Sequence, residues 1–196
     1  MYTNDLPKIP LDAIGFDFDG VIADIGESFL RLACQDHGYC DIRLEDIKSF
    51  KVETYLDIPA TVIDKIFTDI LENSIGTGLK PMEGAVATIT RMARQSEVTI
   101  ITARPDPLPV HDWLRHHYDD ATCRRIKLVA TGDHDNKEEF IRTHALTHFI
   151  DDRIATCLQL AEAGLNPIVY EHPWNNTGHC LPRVANWAQI ESLFDL

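Results

Sequence analysis

Apolar residues gather in five short runs rich in β-branched side chains: Leu11 to Phe18, Val98 to Ile101, Ile126 to Ala130, His148 to Ile150 and Pro167 to Tyr170. Each has strand length and few polar interruptions, the pattern of strands covered on both faces rather than half exposed. Between the runs the period changes. Glu83 to Gln95 sets Val86, Ile89 and Met92 on one helical face, and Val110 to Tyr118, Lys137 to Ala145 and Arg153 to Gly164 are also amphipathic, with Gly164 suited to end the last. Strand alternating with helix predicts an α/β fold, a parallel sheet with helices on both faces. One stretch breaks the alternation. From Ile25 to Lys80 the apolar positions, among them Leu30, Ala33, Ile63, Ile66, Phe67 and Ile70, follow a helical pattern without strands. The chain therefore divides into a core of residues 1–24 and 81–196 and a helical insert of residues 25–80, with Thr77 to Pro81 as the return hinge because Gly78 and Pro81 punctuate it.

Composition narrows the class. A chain of 196 residues with 44% hydrophobic content supports one good core and a small accessory lobe. A formal net charge of -13 opposes binding to a nucleic-acid strand and favours a small ligand whose phosphate is attracted locally. No apolar run reaches membrane-spanning length, and Met1 to Pro7 lacks the basic start and apolar stretch of a secretory leader, so no membrane association and a cytoplasmic setting are expected. The five cysteines are odd in number and form no C-x-x-C pair, which suits a reducing compartment. Cys123 and Cys157, in or beside apolar stretches, read as inert buried thiols.

The candidate chemistry sits where the runs end. Asp17 and Asp19 close the first run, and in extended chain side chains at i and i+2 point the same way, so two carboxylates crowd one side of a buried strand end and call for a cation. Gly20 lets the chain turn directly after them. The second run ends in Thr102-Ala103-Arg104, Lys137 opens a helix, and the fourth ends in Asp151-Asp152-Arg153. Arg104 and Arg153 either face a substrate or pair with neighbouring carboxylates. The nine histidines do not form a zinc pattern. His144 and His148 straddle a helix-to-strand change, and His116 and His117 are adjacent and diverge on a helix.

In this order and position the four segments resemble the haloacid dehalogenase-like (HAD) hydrolase superfamily, over nearly the whole chain. The resemblance implies a Rossmannoid parallel sheet, a small helical cap inserted after the first motif, and the strand bearing Asp17 lying between those bearing Thr102 and Asp151. It implies a Mg2+-dependent phosphatase. Asp17 becomes the nucleophile of an aspartyl-phosphate and Asp19 the general acid and base; Thr102, Ala103 and Lys137 hold phosphate. Mg2+ is held by Asp17, the Asp19 carbonyl and Asp152, with Asp151 and Arg104 in support or, for Asp151, as a further ligand.

Together with Asp-Phe-Asp-Gly-Val-Ile-Ala-Asp, Thr-Ala-Arg-Pro and the late Tyr170 to Asn175, the motifs look like those of the 5′(3′)-deoxyribonucleotidase group and its bacterial relatives. A deoxypyrimidine nucleoside monophosphate is the substrate this implies, with Phe50, Tyr55 and Trp174 either stacking on a base or packing in the cap core and interface. A polynucleotide end phosphatase and a catalytically silent protein of the same fold are the alternatives; the acidic balance opposes the first and the retained carboxylates the second.

Overall fold

The computed structural model describes residues 7–176, 178 and 180–196; the opening segment Met1 to Leu6, weighed above as a leader, lies outside them. A six-stranded parallel sheet forms the centre, with strand order β3-β2-β1-β4-β5-β6. Its strands are β1 (Ile14–Phe16), β2 (Val98–Thr102), β3 (Ile126–Ala130), β4 (His148–Asp151), β5 (Asn166–Tyr170) and β6 (Arg183–Val184). As expected, β1 lies between β2 and β4: Phe16 pairs with Ile100 on one side and Ile150 on the other.

The helices are α1 (Ile25–His37), α2 (Ala60–Glu72), α3 (Ala85–Gln95), α4 (Leu108–His117), α5 (Asp120–Cys123), α6 (Lys137–Thr143), α7 (Ile154–Glu162) and α8 (Trp187–Glu191). Alternate strand residues feed two separate cores. Ile100 and Ile150 pack with Ile89, Trp113 and Trp187, whereas their neighbours Ile101 and Phe149 pack with Ile141 and Leu160. Both faces of the sheet are thus covered, which explains the uninterrupted apolar runs.

Three expectations change in detail. Leu11 to Ala13 wind into a 3-10 turn behind Pro10, with the Ala13 N–H donating to Pro10 O at 3.0 Å, so β1 is shorter than its apolar run. A sixth strand, only two residues long, carries too little pattern to be seen in sequence. The third concerns the cysteines. Cys34 and Cys40 form a disulfide rather than staying reduced. Gly38, left-handed at φ 80°, ends α1 and turns the chain back on the last helical turn, which brings Cys40 beside Cys34. Cys157 is buried and Cys123 half-buried, both free. Among the described residues no helix is long and apolar enough to cross a membrane.

Segment 25–80 leaves and rejoins the sheet at one place. Ala23 bridges Pro81, Asp24 N–H donates to Lys80 O at 2.8 Å and Met82 N–H to Ile22 O at 2.8 Å. Its helices α1 and α2 pack through the stacked rings of Phe29 and Phe67, 5.0 Å apart. The turn after β1 is braced from behind by α8, where Trp187, 1% exposed, stacks on Phe16 at 5.6 Å and donates from Nε1 to Val21 O at 2.8 Å. Trp187→Ala removes the ring and the donor together, and equilibrium urea unfolding is expected to show a loss of about 3–5 kcal/mol. A loss under about 1 kcal/mol would mean that the turn does not lean on α8.

Candidate active site

The loop after β1 is shaped by its backbone. Asp17 N–H extends the ladder by donating to Ile150 O at 2.8 Å, and Phe18 O accepts from both Ile22 and Ala23 N–H at 2.9 Å, folding residues 18–23 into a tight turn. Phe18 points into the core against Trp113, rings 5.0 Å apart. Gly20, at φ +77°, admits no side chain: a Cβ there would lie 2.3 Å from Asp152 Oδ2.

Lys137, the first residue of α6 and 1% exposed, donates to Asp151 Oδ2 at 2.7 Å and pairs with Asp17 Oδ1 at 2.9 Å. Asp151 Oδ1 accepts the Arg153 N–H at 2.8 Å, so both its oxygens are engaged in holding the site together. Asp152 is fixed from the far end of the chain. Trp174 Nε1 donates to its Oδ2 at 3.0 Å, and Asn175 Nδ2 donates to its backbone carbonyl at 2.6 Å. The Trp174 ring in turn stacks on His172, 4.0 Å away.

Asp17, Asp151 and Asp152 offer oxygens within 4.8 Å of one another, all buried, against the single ammonium of Lys137. Burial pushes the Asp17 carboxyl up to about 7, opposed by the Lys137 charge and reinforced by Asp151 and Asp19. Asp152 is pushed well above the usual carboxylate range, again mainly by burial and then by Asp151 and Asp17. Asp17 Oδ2 and Asp152 Oδ1 accept no hydrogen bond from the described residues. Excess buried negative charge and free carboxylate oxygens are the donor set of a hard divalent cation.

Thr102 is buried at the end of β2, its Oγ1 accepting the Arg104 N–H at 3.3 Å. Ala103 follows it at the wall of the central cavity. Arg104 takes the carboxylate-pairing alternative: Nε and Nη2 donate to Asp19 Oδ2 and Oδ1 at 2.8 and 2.7 Å. Arg153 does likewise, pairing with Asp135 at 3.0 Å.

A cavity of about 330 Å³ lies over Asp17, Asp19 and Asp152, walled by Phe29, Phe50, Phe67, Leu71 and Trp174. Phe50 and Trp174 therefore meet it, whereas Tyr55 is 55% exposed and lies outside its lining. Sequence reasoning missed His134, which lines the cavity and whose buried Nδ1 has no partner among the described residues. It also missed Leu71 and Ser74, which contact Arg104. His144 Nδ1 meets Phe140 O at 2.8 Å, a contact within its own helix end.

Three strand ends and the first turn of α6, converging on a buried carboxylate cluster in this strand order, belong to a phosphatase of the HAD-like class. The chain belongs to the family described as "5' nucleotidase, deoxy (Pyrimidine), cytosolic type C protein", whose model matches residues 11–196. It is 25% identical over 193 residues to "Putative nucleotidase BH1399" of Halalkalibacterium halodurans, covering 92% of this chain and 91% of that one. The fold is shared with a haloacid dehalogenase-like hydrolase of Streptococcus pneumoniae, at 14% identity and TM-score 0.59 over 92% of this chain and 95% of that one. It is shared too with a HAD-superfamily hydrolase, subfamily IA, of Geobacter sulfurreducens, at 16% identity and TM-score 0.56 over the full length of both.

The raised Asp17 value has a consequence for stability. The folded metal-free protein holds this proton more tightly than the unfolded chain, so the contribution is present below the ordinary value of 3.8 and is lost as pH rises through about 7. The melting temperature of chelator-treated protein is therefore expected to fall between about pH 5 and 7.5, and to fall less in Asp152→Asn. Mg2+ should raise it for the wild type, more at the higher pH, and not for the variant; a melting temperature indifferent to Mg2+ at both pH values would contradict the cation site.

Proposed function

We propose that the protein is a Mg2+-dependent nucleotidase that hydrolyses a deoxyribonucleoside monophosphate through an aspartyl-phosphate on Asp17. The observation that carries this reading is the cavity of about 330 Å³, aromatic and apolar, set directly over Asp17 and Asp19. Its volume falls in the range of small-molecule sites. Arg104 is the sole lysine or arginine among the described residues lining it, and it is already paired with Asp19, so nothing is available for a second or third phosphate. Ser49, Glu53 and Asp64 in the wall offer acceptors to the N–H groups of a base or the hydroxyl of a sugar.

In this reading an Asp17 carboxylate oxygen attacks phosphorus as the ester P–O bond breaks, and Asp19 gives its proton to the departing alkoxide. Asp19 then takes a proton from water, whose oxygen attacks the same phosphorus, releasing inorganic phosphate and restoring Asp17. The Thr102 hydroxyl, the Ala103 N–H and the Lys137 ammonium serve the non-bridging oxygens. Lys137 also aligns Asp17, and its charge favours the ionised carboxylate against the burial that raises it. Mg2+, held by Asp17, Asp152 and the Asp19 carbonyl, supplies positive charge to the phosphoryl group when bound. Asp151 and Trp174 support the carboxylates rather than the substrate.

Segment 25–80 is the cap in this scheme. Its residues form most of the cavity wall, so that they would shield the reacting phosphate from water. The polynucleotide alternative is disfavoured by the net charge of -13. A cytoplasmic setting is proposed from the cytosolic type in the family description; the Cys34–Cys40 bond is the feature that runs against it.

Specificity constants decide the substrate. With Mg2+ present, deoxyribonucleoside monophosphates are expected to exceed both sugar phosphates and 3′-phosphorylated oligonucleotides by about tenfold or more, the discrimination available from burying one base. Preference for sugar phosphates would keep the chemistry and refute the nucleotide assignment, and preference for the oligonucleotide would refute the enclosed-site reading.

A further inference from the structure

Arg104 is nearly fully buried, and its guanidinium touches three parts of the molecule at once. One edge forms a two-pronged pair with Asp19, Nε to Oδ2 at 2.8 Å and Nη2 to Oδ1 at 2.7 Å. The remaining nitrogen, Nη1, donates to Ser74 Oγ at 2.7 Å, just beyond the end of α2, and to Leu71 O at 3.0 Å, in its last turn. Its own backbone N–H donates to Thr102 Oγ1 at 3.3 Å, and the Phe18 ring lies 5.1 Å from its central carbon. Ser74 is equally enclosed, 1% exposed, and is anchored by donating to Ile70 O at 2.9 Å.

A guanidinium is planar and rigid, so fixing one edge fixes the other. A two-pronged pair likewise sets the plane of the carboxylate it grips, not merely its distance. The end of α2 and the turn that follows it therefore determine, through Leu71, Ser74 and Arg104, how the Asp19 carboxyl group is turned. Without α2 in place, Nη1 loses both acceptors and the fork is free to rotate. The side chains of the pair, 3% and 21% exposed, are shielded from competing water as long as α2 stays down.

We propose that Arg104 is the positioning residue for Asp19, taking its own orientation from Leu71 and Ser74, so that the acid–base carboxylate is aligned only while the end of α2 lies over the cavity. This rests on the reading of Asp19 as proton donor and acceptor. It gives segment 25–80 a second task beyond enclosing the substrate: the helix that closes the site also sets the group that must protonate the leaving alkoxide. A simple clamp holding α2 to the sheet is the rival explanation, and the two differ in their kinetic consequences.

The experiment uses the Mg2+-loaded enzyme and two substrates, a deoxyribonucleoside monophosphate, whose alkoxide needs a proton to leave, and p-nitrophenyl phosphate, whose leaving group does not. Arg104→Gln is expected to lower kcat/KM about 100-fold for the nucleotide, within the range of general acid catalysis, and less than about tenfold for the aryl ester. Ser74→Ala, which leaves Arg104 in place, should show the same asymmetry at about five- to tenfold. In an Asp19→Asn background neither substitution should cost more than about twofold, because residues acting as one unit are not additive.

Equal losses on the two substrates, or losses of full size in the Asp19→Asn background, would identify a clamp and overturn the proposal. Should Arg104→Gln fail to fold, Ser74→Ala and Arg104→Lys carry the same comparison, since lysine keeps the charge and loses the fork. If Asp19→Asn alone leaves the nucleotide rate unchanged, the reading of Asp19 falls and this proposal falls with it. An Asp19→Asn loss accompanied by a substrate-independent Arg104→Gln loss overturns this proposal alone.

Discussion

Everything in the site follows from burying three carboxylates and one ammonium side by side. Asp17, Asp151 and Asp152 are each 5% exposed or less, and Lys137 is 1% exposed. Burying charge costs heavily unless it is paired, and here the pairing is incomplete: Lys137 satisfies one oxygen of Asp17 and one of Asp151 and does not reach Asp152. A scaffold selected only for stability would have apolar residues at these positions. In the proposed mechanism the same field that pushes the Asp17 and Asp152 carboxyls up would attract a cation and orient a phosphate.

The fold is arranged to hold that imbalance in place. Adjacent strand ends supply Asp17, Thr102 and Asp151, and the sheet is buried on both faces, so none of the three can shift without disturbing a packed core. Ligand sites lie at the carboxyl ends of parallel strands because the chain there leaves the ladder and its polar groups are free for other partners. The turn at Gly20 is the tightest case. Asp152 comes so close that a single methyl group at that glycine would collide with its carboxylate, and the His172 ring meets the Gly20 carbonyl at 2.6 Å from the other side. The loop after β1 and the segment at His172 are thereby locked against each other around the carboxylate cluster.

Much of this was legible in the chain. Strand ends could be read because an apolar run closing on Asp17, Thr102 or Asp151 changes character within one residue, and the β1 position between β2 and β4 followed from the resemblance rather than from any local signal. What escaped detection joins residues with no shared period. The Trp174 hydrogen bond to Asp152 spans 22 residues, and the Arg104 fork reaches 85 residues back to Asp19 and 30 to Ser74. Sequence offered for Trp174 a choice between stacking and packing, whereas the ring lines the cavity, stacks on His172 and donates to Asp152. The Cys34–Cys40 bond was hidden for a different reason: a spacing of six suggests no metal or redox motif, and the bond depends on the left-handed bend at Gly38.

The central claim is that the oxygen attacking phosphorus belongs to Asp17. It is tested most directly by rapid-quench labelling: wild-type protein with Mg2+ is mixed with substrate carrying radiolabelled phosphate, stopped in acid within one turnover, digested and its labelled peptide sequenced. The label is expected on the peptide containing Asp17, stable in acid and released by alkali as an acyl phosphate. Label on any other residue, or none on the protein while substrate is being consumed, would contradict the covalent route and with it the role assigned to the buried carboxylate cluster.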